Sequence, residues 1–233
     1  MPDLPILSHL VAGGVTFAFF WATVLTVKGS PAHRSRGRLF FISLLPVGLS
    51  VGAILVLRSA TFDPARMIQF LYLLLCLLTV GTVGWTSIRW KKDVERFRGR
   101  HFRVLGAAMV LSGGIVLVAG AASGNPLTMI FSSIGLVFGG AMVRFAWMRA
   151  TPHPKWWLGW HLNAVLLLSS AVHATLLAII YSTLVDANGY DAAQYVTQTG
   201  TLLLALLLRW HIGRQRGVPM RFSLPAQPLV ATA

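Results

Sequence analysis

The stretch VKGSPAHRSRGRLFF, residues 27–41, separates two apolar runs and carries a lysine, three arginines and a histidine. The runs on either side, 5–27 and 39–57, are each about as long as a helix needs to cross a bilayer, roughly 20 residues. A basic cluster directly after an apolar run is typical of a cytoplasmic loop. The stretch therefore predicts a connection between two transmembrane helices, although charge alone does not explain the order of its residues.

The composition of the whole chain also predicts a membrane protein. Of 233 residues, 55% are hydrophobic and only 11% are charged, whereas a soluble domain carries about 25% charged residues. So few charges cannot cover a globular surface, and part of the solvent must be lipid. The single cysteine, Cys76, excludes an intramolecular disulfide. No Lys or Arg precedes the first apolar run, which argues against a cleavable signal peptide.

Seven apolar segments predict an all-α, polytopic integral membrane bundle of seven transmembrane helices. They cover residues 5–27, 39–57, 67–88, 104–123, 126–148, 156–184 and 192–208. The last is the weakest, because it opens with Gln194, Thr197, Gln198 and Thr199. We expect a single transmembrane domain over residues 1–221 and a flexible C-terminal tail over 222–233, which contains two prolines and no charge.

The distribution of charge predicts the orientation. Eighteen of the 20 Lys and Arg residues lie in alternate connections and at the C-terminal end, within 28–38, 89–103, 144–155 and 209–221. The positive-inside rule then places the N-terminus outside and the C-terminus in the cytoplasm of a bacterial inner membrane. Anionic lipid head groups on the cytoplasmic side are the expected partners of the net charge of +14. Nucleic acid is excluded as a partner by the same distribution.

Several chemistries are excluded by missing residues. No acidic residue lies at the centre of a span, which argues against a carboxylate proton relay. No span contains lysine, so a retinal Schiff base is excluded. Gly135 and Gly139 form a small-xxx-small pair, which predicts a close contact between two helices.

Histidines are the candidate site residues. His9 in the first segment and His173 in the sixth lie within hydrocarbon, where an unpaired imidazole is costly. We expect the two at similar depth, facing the bundle interior, where together they could bind haem b or a transition metal. His33 and His161 could form a second pair towards the cytoplasmic side, and the two sites would resemble an electron-transfer wire. The alternative is that these histidines only make hydrogen bonds to Ser, Thr or backbone groups.

Two parts of the chain resemble a known family. The opening HLVAGGVTFAFFWATVLTVKGSPAHRSRGRLF, residues 9–40, and GWHLNAVLLLSSAVHATLL, residues 159–177, resemble an uncharacterised bacterial family of predicted membrane proteins, domain of unknown function 2306. The residues that match its pattern are His9, Gly13, Lys28, Gly29, His33, Arg34, Gly37, Arg38 and His161. The last segment departs from the resemblance, because it lacks the expected proline pattern. The resemblance implies a helical bundle in the cytoplasmic membrane and implies no activity.

If the members of this family share the order of residues around His33, their net charge alone does not explain that order. One interpretation is that His33, Arg34, Gly37 and Arg38 hold an anion, either a lipid phosphate, a haem propionate or a substrate phosphate. Gly37 would permit close approach of the backbone. The alternative interpretation is a turn that simply packs against neighbouring helices.

Two classes of function remain open from the sequence. In the first, an intramembrane histidine site binds haem or a metal and serves electron transfer. In the second, the chain is a non-catalytic accessory or assembly subunit of a membrane complex, with a membrane-protein partner and structural histidines. A carrier of a small molecule or lipid is a third possibility.

The topology can be tested with reporter fusions. Reporters placed after Lys92 and after Arg216 should read cytoplasmic, and one placed after Asn188 should read outside, because the basic residues alternate with nearly uncharged connections. Reporters at 92 and 188 on the same side of the membrane would contradict seven spans.

Overall fold

Helices make up most of the chain. The structure, a computed structural model, describes residues 4–58, 64–220 and 222. Within these ranges there is no strand, and the predicted all-α class is confirmed. The helices are α1 (Leu4–Val24), α2 (Pro31–Leu57), α3 (Pro64–Arg89), α4 (Val94–Phe97), α5 (Arg100–Ala122), α6 (Pro126–Ser133), α7 (Gly140–Ala146), α8 (Trp156–Leu184) and α9 (Tyr190–Arg216), with a π-helical segment, Ile134–Gly139, between α6 and α7.

Six stretches of helix are long and apolar enough to cross a membrane. They lie in α1, α2, α3, α5, the continuous run Pro126–Ala146 and α8. By length and composition these six indicate a multi-pass membrane protein. The helix α9 is as long as α2 but is not among the six.

Successive long helices alternate in direction. The strongest contacts join α1 to α2, α8 to α9, α3 to α8, and α5 to the run from α6 to α7. The connections α1–α2, α3–α5 and α7–α8 therefore lie at one end of the bundle, together with the C-terminus of α9. We call this the basic end, because it carries the clusters of Lys and Arg, and we call the other the opposite end. The helix α1 contacts α8 only weakly.

The basic stretch between α1 and α2 is more helical than the sequence predicted. Residues 31–38 form the first two turns of α2 instead of a loop. The local cause is a strong start signal: the Ser30 side chain caps the helix by accepting from the His33 N–H at 3.1 Å, and Pro31 occupies the first turn. Gly29 makes the reversal just before it, with a φ of +81° that favours glycine.

The π-helical segment is stabilised by a tyrosine from another helix. The Tyr72 hydroxyl accepts from the Gly135 N–H at 2.7 Å and donates to the Phe131 carbonyl oxygen at 2.9 Å. Both backbone groups belong to the wide turn, where regular helical hydrogen bonding is interrupted. A Cβ at Gly135 would collide with the carbonyl oxygen of Met109. The predicted close contact at Gly135 and Gly139 is confirmed, and its partner is α5.

The helix α9 hides its polar residues against α8. Gln194 and Gln198 are buried, and the Thr197 hydroxyl donates to the Ala174 carbonyl oxygen at 2.9 Å. The leucines of the opposite face, Leu203, Leu204, Leu206 and Leu207, are exposed. The glutamines and threonine that lower the mean hydropathy of α9 therefore lie on the face that packs against α8.

The chain after α9 folds back onto the bundle. Gly217 ends α9 with a φ of +60°, and the Phe222 ring stacks on Trp160 with centroids 5.0 Å apart. The buried Arg209 donates to the Asn163 side chain at 2.5 Å and to the Pro219 carbonyl oxygen at 3.0 Å. The predicted tail 222–233 thus begins at a packed residue, and residues 223–233 lie outside the described part of the chain.

The role of Tyr72 in the π-helical segment can be tested by removing its hydroxyl oxygen. Tyr72→Phe leaves the Gly135 N–H without the Tyr72 hydroxyl and removes one of the two bonds to the Phe131 carbonyl oxygen, so we expect a loss of about 1 kcal/mol in the free energy of unfolding. The measurement is reversible unfolding in mixed micelles. Tyr181→Phe, at an exposed position, is the matched control. Equal stability of the two variants would mean that Tyr72 does not stabilise the segment.

Candidate functional site

A large cavity lies between the helices, with a volume of about 1560 Å³. Its walls come from α1, α2, α3, α8 and α9, and from the region of the α5–α6 connection. It exceeds the range of about 300–1,000 Å³ that holds drug-sized ligands. The cavity is only partly enclosed by protein.

The polar lining of the cavity is concentrated at the opposite end. His9, Gln69, Thr128 and Gln194 each lie in the first two turns of their own helices, which all begin at that end. The Gln69 carboxamide oxygen accepts from the Thr128 hydroxyl at 3.0 Å. Gln194 is only 6% exposed, and its carboxamide oxygen has no hydrogen-bond partner within the described ranges. Arg58, Arg66 and Asp191 also line this end.

Deeper in the bundle the cavity is apolar. Its lining there includes Phe17, Leu44, Val80 and Leu168, which lie near the middle of their helices or beyond it. The cavity therefore changes from polar to apolar along the bundle axis. Such a gradient suits a molecule with a polar head and an apolar tail.

His9 lies at the polar end and is joined to α2. Its Nδ1 is 2.9 Å from the Ser50 hydroxyl oxygen, and that hydroxyl donates to the Val47 carbonyl oxygen at 2.7 Å. Because the hydroxyl hydrogen is already engaged, Ser50 accepts from His9, and Nδ1 carries the proton. His9 therefore retains Nε2 as an acceptor.

His173 has both ring nitrogens engaged by protein groups. Nδ1 donates to the Ser169 carbonyl oxygen at 2.8 Å, and Nε2 accepts from the Trp21 indole N–H at 3.2 Å. The rings of Phe17 and Phe20 lie against it, with centroids 5.1 and 5.6 Å away. These contacts satisfy both nitrogens and enclose the ring, so the burial of the His173 imidazole requires no metal or haem.

The structure does not bring His9 and His173 together. The contacts of His173 on α1 are at Phe17, Phe20 and Trp21, and these lie about 12–18 Å further along the helix than His9 at 1.5 Å per residue. Two nitrogens that share an ion must each approach it to about 2 Å. The expectation of similar depth is wrong. His9 lies in the second turn of α1, whereas His173 contacts residues in the later turns of that helix.

His33 and His161 make a more favourable pair. The His33 Nδ1 donates to the Thr23 carbonyl oxygen at 3.3 Å, and the His161 Nδ1 donates to the Gly84 carbonyl oxygen at 3.2 Å. In each ring the carbonyl fixes the proton on Nδ1 and leaves Nε2 as an acceptor, which is the usual arrangement of histidines that bind metals. Within the described ranges no three His, Cys, Asp or Glu side chains cluster as a metal site.

The basic stretch divides into two faces. Lys28, His33 and Arg36 donate to the carbonyl oxygens of Val24, Thr23 and Ala22, respectively, which are the last acceptors of α1. Gly37 lies next to the Thr23 methyl group, where a Cβ would be at 3.6 Å.

Arg34 and Arg38 lie one turn apart on the other face of α2, and both side chains are exposed. Of the four residues predicted to hold an anion, His33 is engaged with α1 and Gly37 packs against it. The two arginines remain directed away from the bundle. Binding of an anion by this set stays a prediction.

Two of the cavity residues were missed by the sequence analysis. Gln69 lies inside the third apolar segment and was not singled out, and Gln194 was read only as a weakness of the last segment. The signal that could have identified them is a carboxamide within an otherwise apolar helix, which requires a partner.

Comparisons with known proteins add no assignment. Neither family models, nor curated proteins, nor solved structures gave a match to this chain. The resemblance to domain of unknown function 2306 therefore stays a prediction.

Proposed function

We propose that the chain crosses a bacterial cytoplasmic membrane seven times, with the N-terminus outside and the basic end in the cytoplasm. The charge distribution supports this orientation. The seventh span would be α9, whose 27 residues are about 40 Å long. Its leucine face is suited to lipid, and its polar face is covered by α8. The exposed Arg34 and Arg38 would then meet anionic head groups of the cytoplasmic leaflet.

Within this arrangement the protein binds an amphipathic molecule taken from the bilayer. The observation that carries this proposal is the cavity of about 1560 Å³, polar at one end and apolar deeper in the bundle. The cavity is only partly enclosed, and in this proposal an apolar chain enters it from the hydrocarbon without passage through water. Of the functions considered from the sequence, this favours a small-molecule or lipid carrier over an accessory subunit with only structural histidines.

The cavity also contains empty space beside two glycines of α1. Gly13 and Gly14 on α1 line it, and no other atom lies within 4 Å of where their Cβ atoms would be. A Cβ atom added at either position would meet no atom of a neighbouring helix, so a side chain there starts in open space. The proposal can therefore be tested without disturbing the packing of α1.

Filling the cavity should displace its ligand. Gly13→Phe is expected to lose most of the lipid-like material that co-purifies with the parent protein, because the ring occupies the space of the ligand. Native mass spectrometry and chromatography of extracted lipids measure the loss. The matched control is Gly114→Phe on α5, another helical glycine with open space around it, which does not line the cavity. Equal retention of ligand by the two variants would contradict the proposal.

A second candidate is the electron-transfer function suggested by the histidines. It is favoured by His33 and His161, whose Nδ1 protons are fixed by backbone carbonyls. Imidazole is a good ligand for haem iron and for copper or zinc. In this version the cofactor is haem b or a transition metal at the basic end, rather than between His9 and His173.

This candidate predicts a bound chromophore or metal. The purified protein should show a Soret band and sharp reduced bands with dithionite, or a stoichiometric metal by elemental analysis. His33→Ala and His161→Ala should each abolish it, whereas His211→Ala, at an exposed position of the same end, should not. Parent protein without chromophore or metal would contradict this second function and leave the cavity proposal untouched.

A further inference from the structure

We propose that the ligand of the cavity is an uncharged lipid whose head group carries hydroxyls, held at the polar end by His9, Gln69 and Gln194. This inference rests on the proposed function, namely that the cavity binds an amphipathic molecule. It adds the chemical class of the head group.

The acceptors at this end call for hydrogen-bond donors on the ligand. The hydroxyl of Ser50 accepts from Nδ1 of His9, so the free position of the ring is the acceptor Nε2. The carboxamide oxygen of Gln194 is a second acceptor, buried and without a partner in the described chain. A buried acceptor without a hydrogen bond costs free energy, and a ligand hydroxyl would remove that cost.

Gln69 adds a donor beside these two acceptors. Its oxygen is taken by the Thr128 hydroxyl, which leaves the amide N–H groups for the ligand. A hydroxyl group can both donate and accept, so it suits all three side chains at once. A methyl ether can only accept, and a phosphate or carboxylate carries mainly acceptors, which would face the acceptors of His9 and Gln194.

The charged residues at the mouth carry both signs, because Arg58, Arg66 and Asp191 all line it. Arg58 and Arg66 each have an interaction within the chain, and the carboxylate of Asp191 would repel an anionic head group. The choice of an uncharged head group rests on the acceptors of His9 and Gln194, which call for a hydroxyl donor.

Two natural sources share this chemistry, a hydroquinone with an alkyl or prenyl chain and a diacylglycerol. The experiment measures the binding of an alkyl hydroquinone, a short-chain diacylglycerol and the O-methylated form of each to the purified protein in detergent. Each hydroxyl form should bind about three- to tenfold more tightly than its ether, the range expected for one hydrogen bond in a membrane protein. The hydroxyl compound with the tighter binding identifies the source.

Variants then test the named side chains. His9→Leu and Gln194→Leu should each reduce the preference for the hydroxyl form towards unity while the ether still binds. Gln215→Leu, an exposed position at the other end of α9, should keep the parent preference. Should a variant fail to fold, the comparison of hydroxyl with ether on the parent protein still decides.

Three results would overturn the inference. They are equal binding of hydroxyl and ether forms, tighter binding of an anionic phosphatidylglycerol probe than of either hydroxyl form, and a parent-like preference in both folded variants. In each of these cases ligands still bind, and Gly13→Phe still blocks them. If no probe binds and Gly13→Phe retains as much lipid as Gly114→Phe, the proposed function itself fails.

Discussion

A backbone or side-chain polar group inside an apolar bundle is costly unless it finds a partner within the protein, and this cost shapes the structure. The last carbonyl oxygens of α1 are met by side chains of the segment that follows it, including His33. The interrupted backbone near Gly135 is met by Tyr72 from α3. Because the partners come from other elements, each of these bonds also positions one helix on another. Hydrogen bonding therefore supplies much of the specificity that apolar surfaces facing lipid cannot supply.

The order of residues in the basic stretch now has a physical explanation. The positive-inside rule depends on the number and location of Lys and Arg and not on their order. Gly29, Ser30 and Pro31 reverse the chain and start α2, while His33 and Arg36, three residues apart on one face, reach the end of α1. The set that was predicted to bind an anion thus combines residues from two faces, and the arginines of the outer face are the ones directed away from the bundle.

Hydropathy predicted the long helices because six of the helical stretches are apolar enough to cross a membrane. It underrated α9, since averaging over a helix cannot separate a polar face against α8 from an exposed leucine face. The π-helical segment could not be predicted, because its cause is the hydroxyl of Tyr72, about 60 residues earlier. The sequence did suggest His33 with His161, but it also placed His9 beside His173. That second pairing is wrong, because depth within a segment does not reveal which neighbours a side chain meets. The position of the His161 ring is fixed by its bond to α3, and the position of the His33 ring by its bond to α1.

One of the buried polar atoms without a partner in the described chain, the Gln194 carboxamide oxygen, lies at the cavity, and both the empty space and the missing hydrogen bond are unfavourable for stability. An unfilled cavity loses packing contacts, and the buried oxygen of Gln194 lacks a hydrogen bond. His173, by contrast, is enclosed by aromatic rings with both nitrogens paired, as a structural residue should be. A fold selected for stability alone would fill the space beside Gly13 and pair Gln194. The combination is understandable if a ligand supplies the missing contacts, which is what the proposed function requires of the cavity.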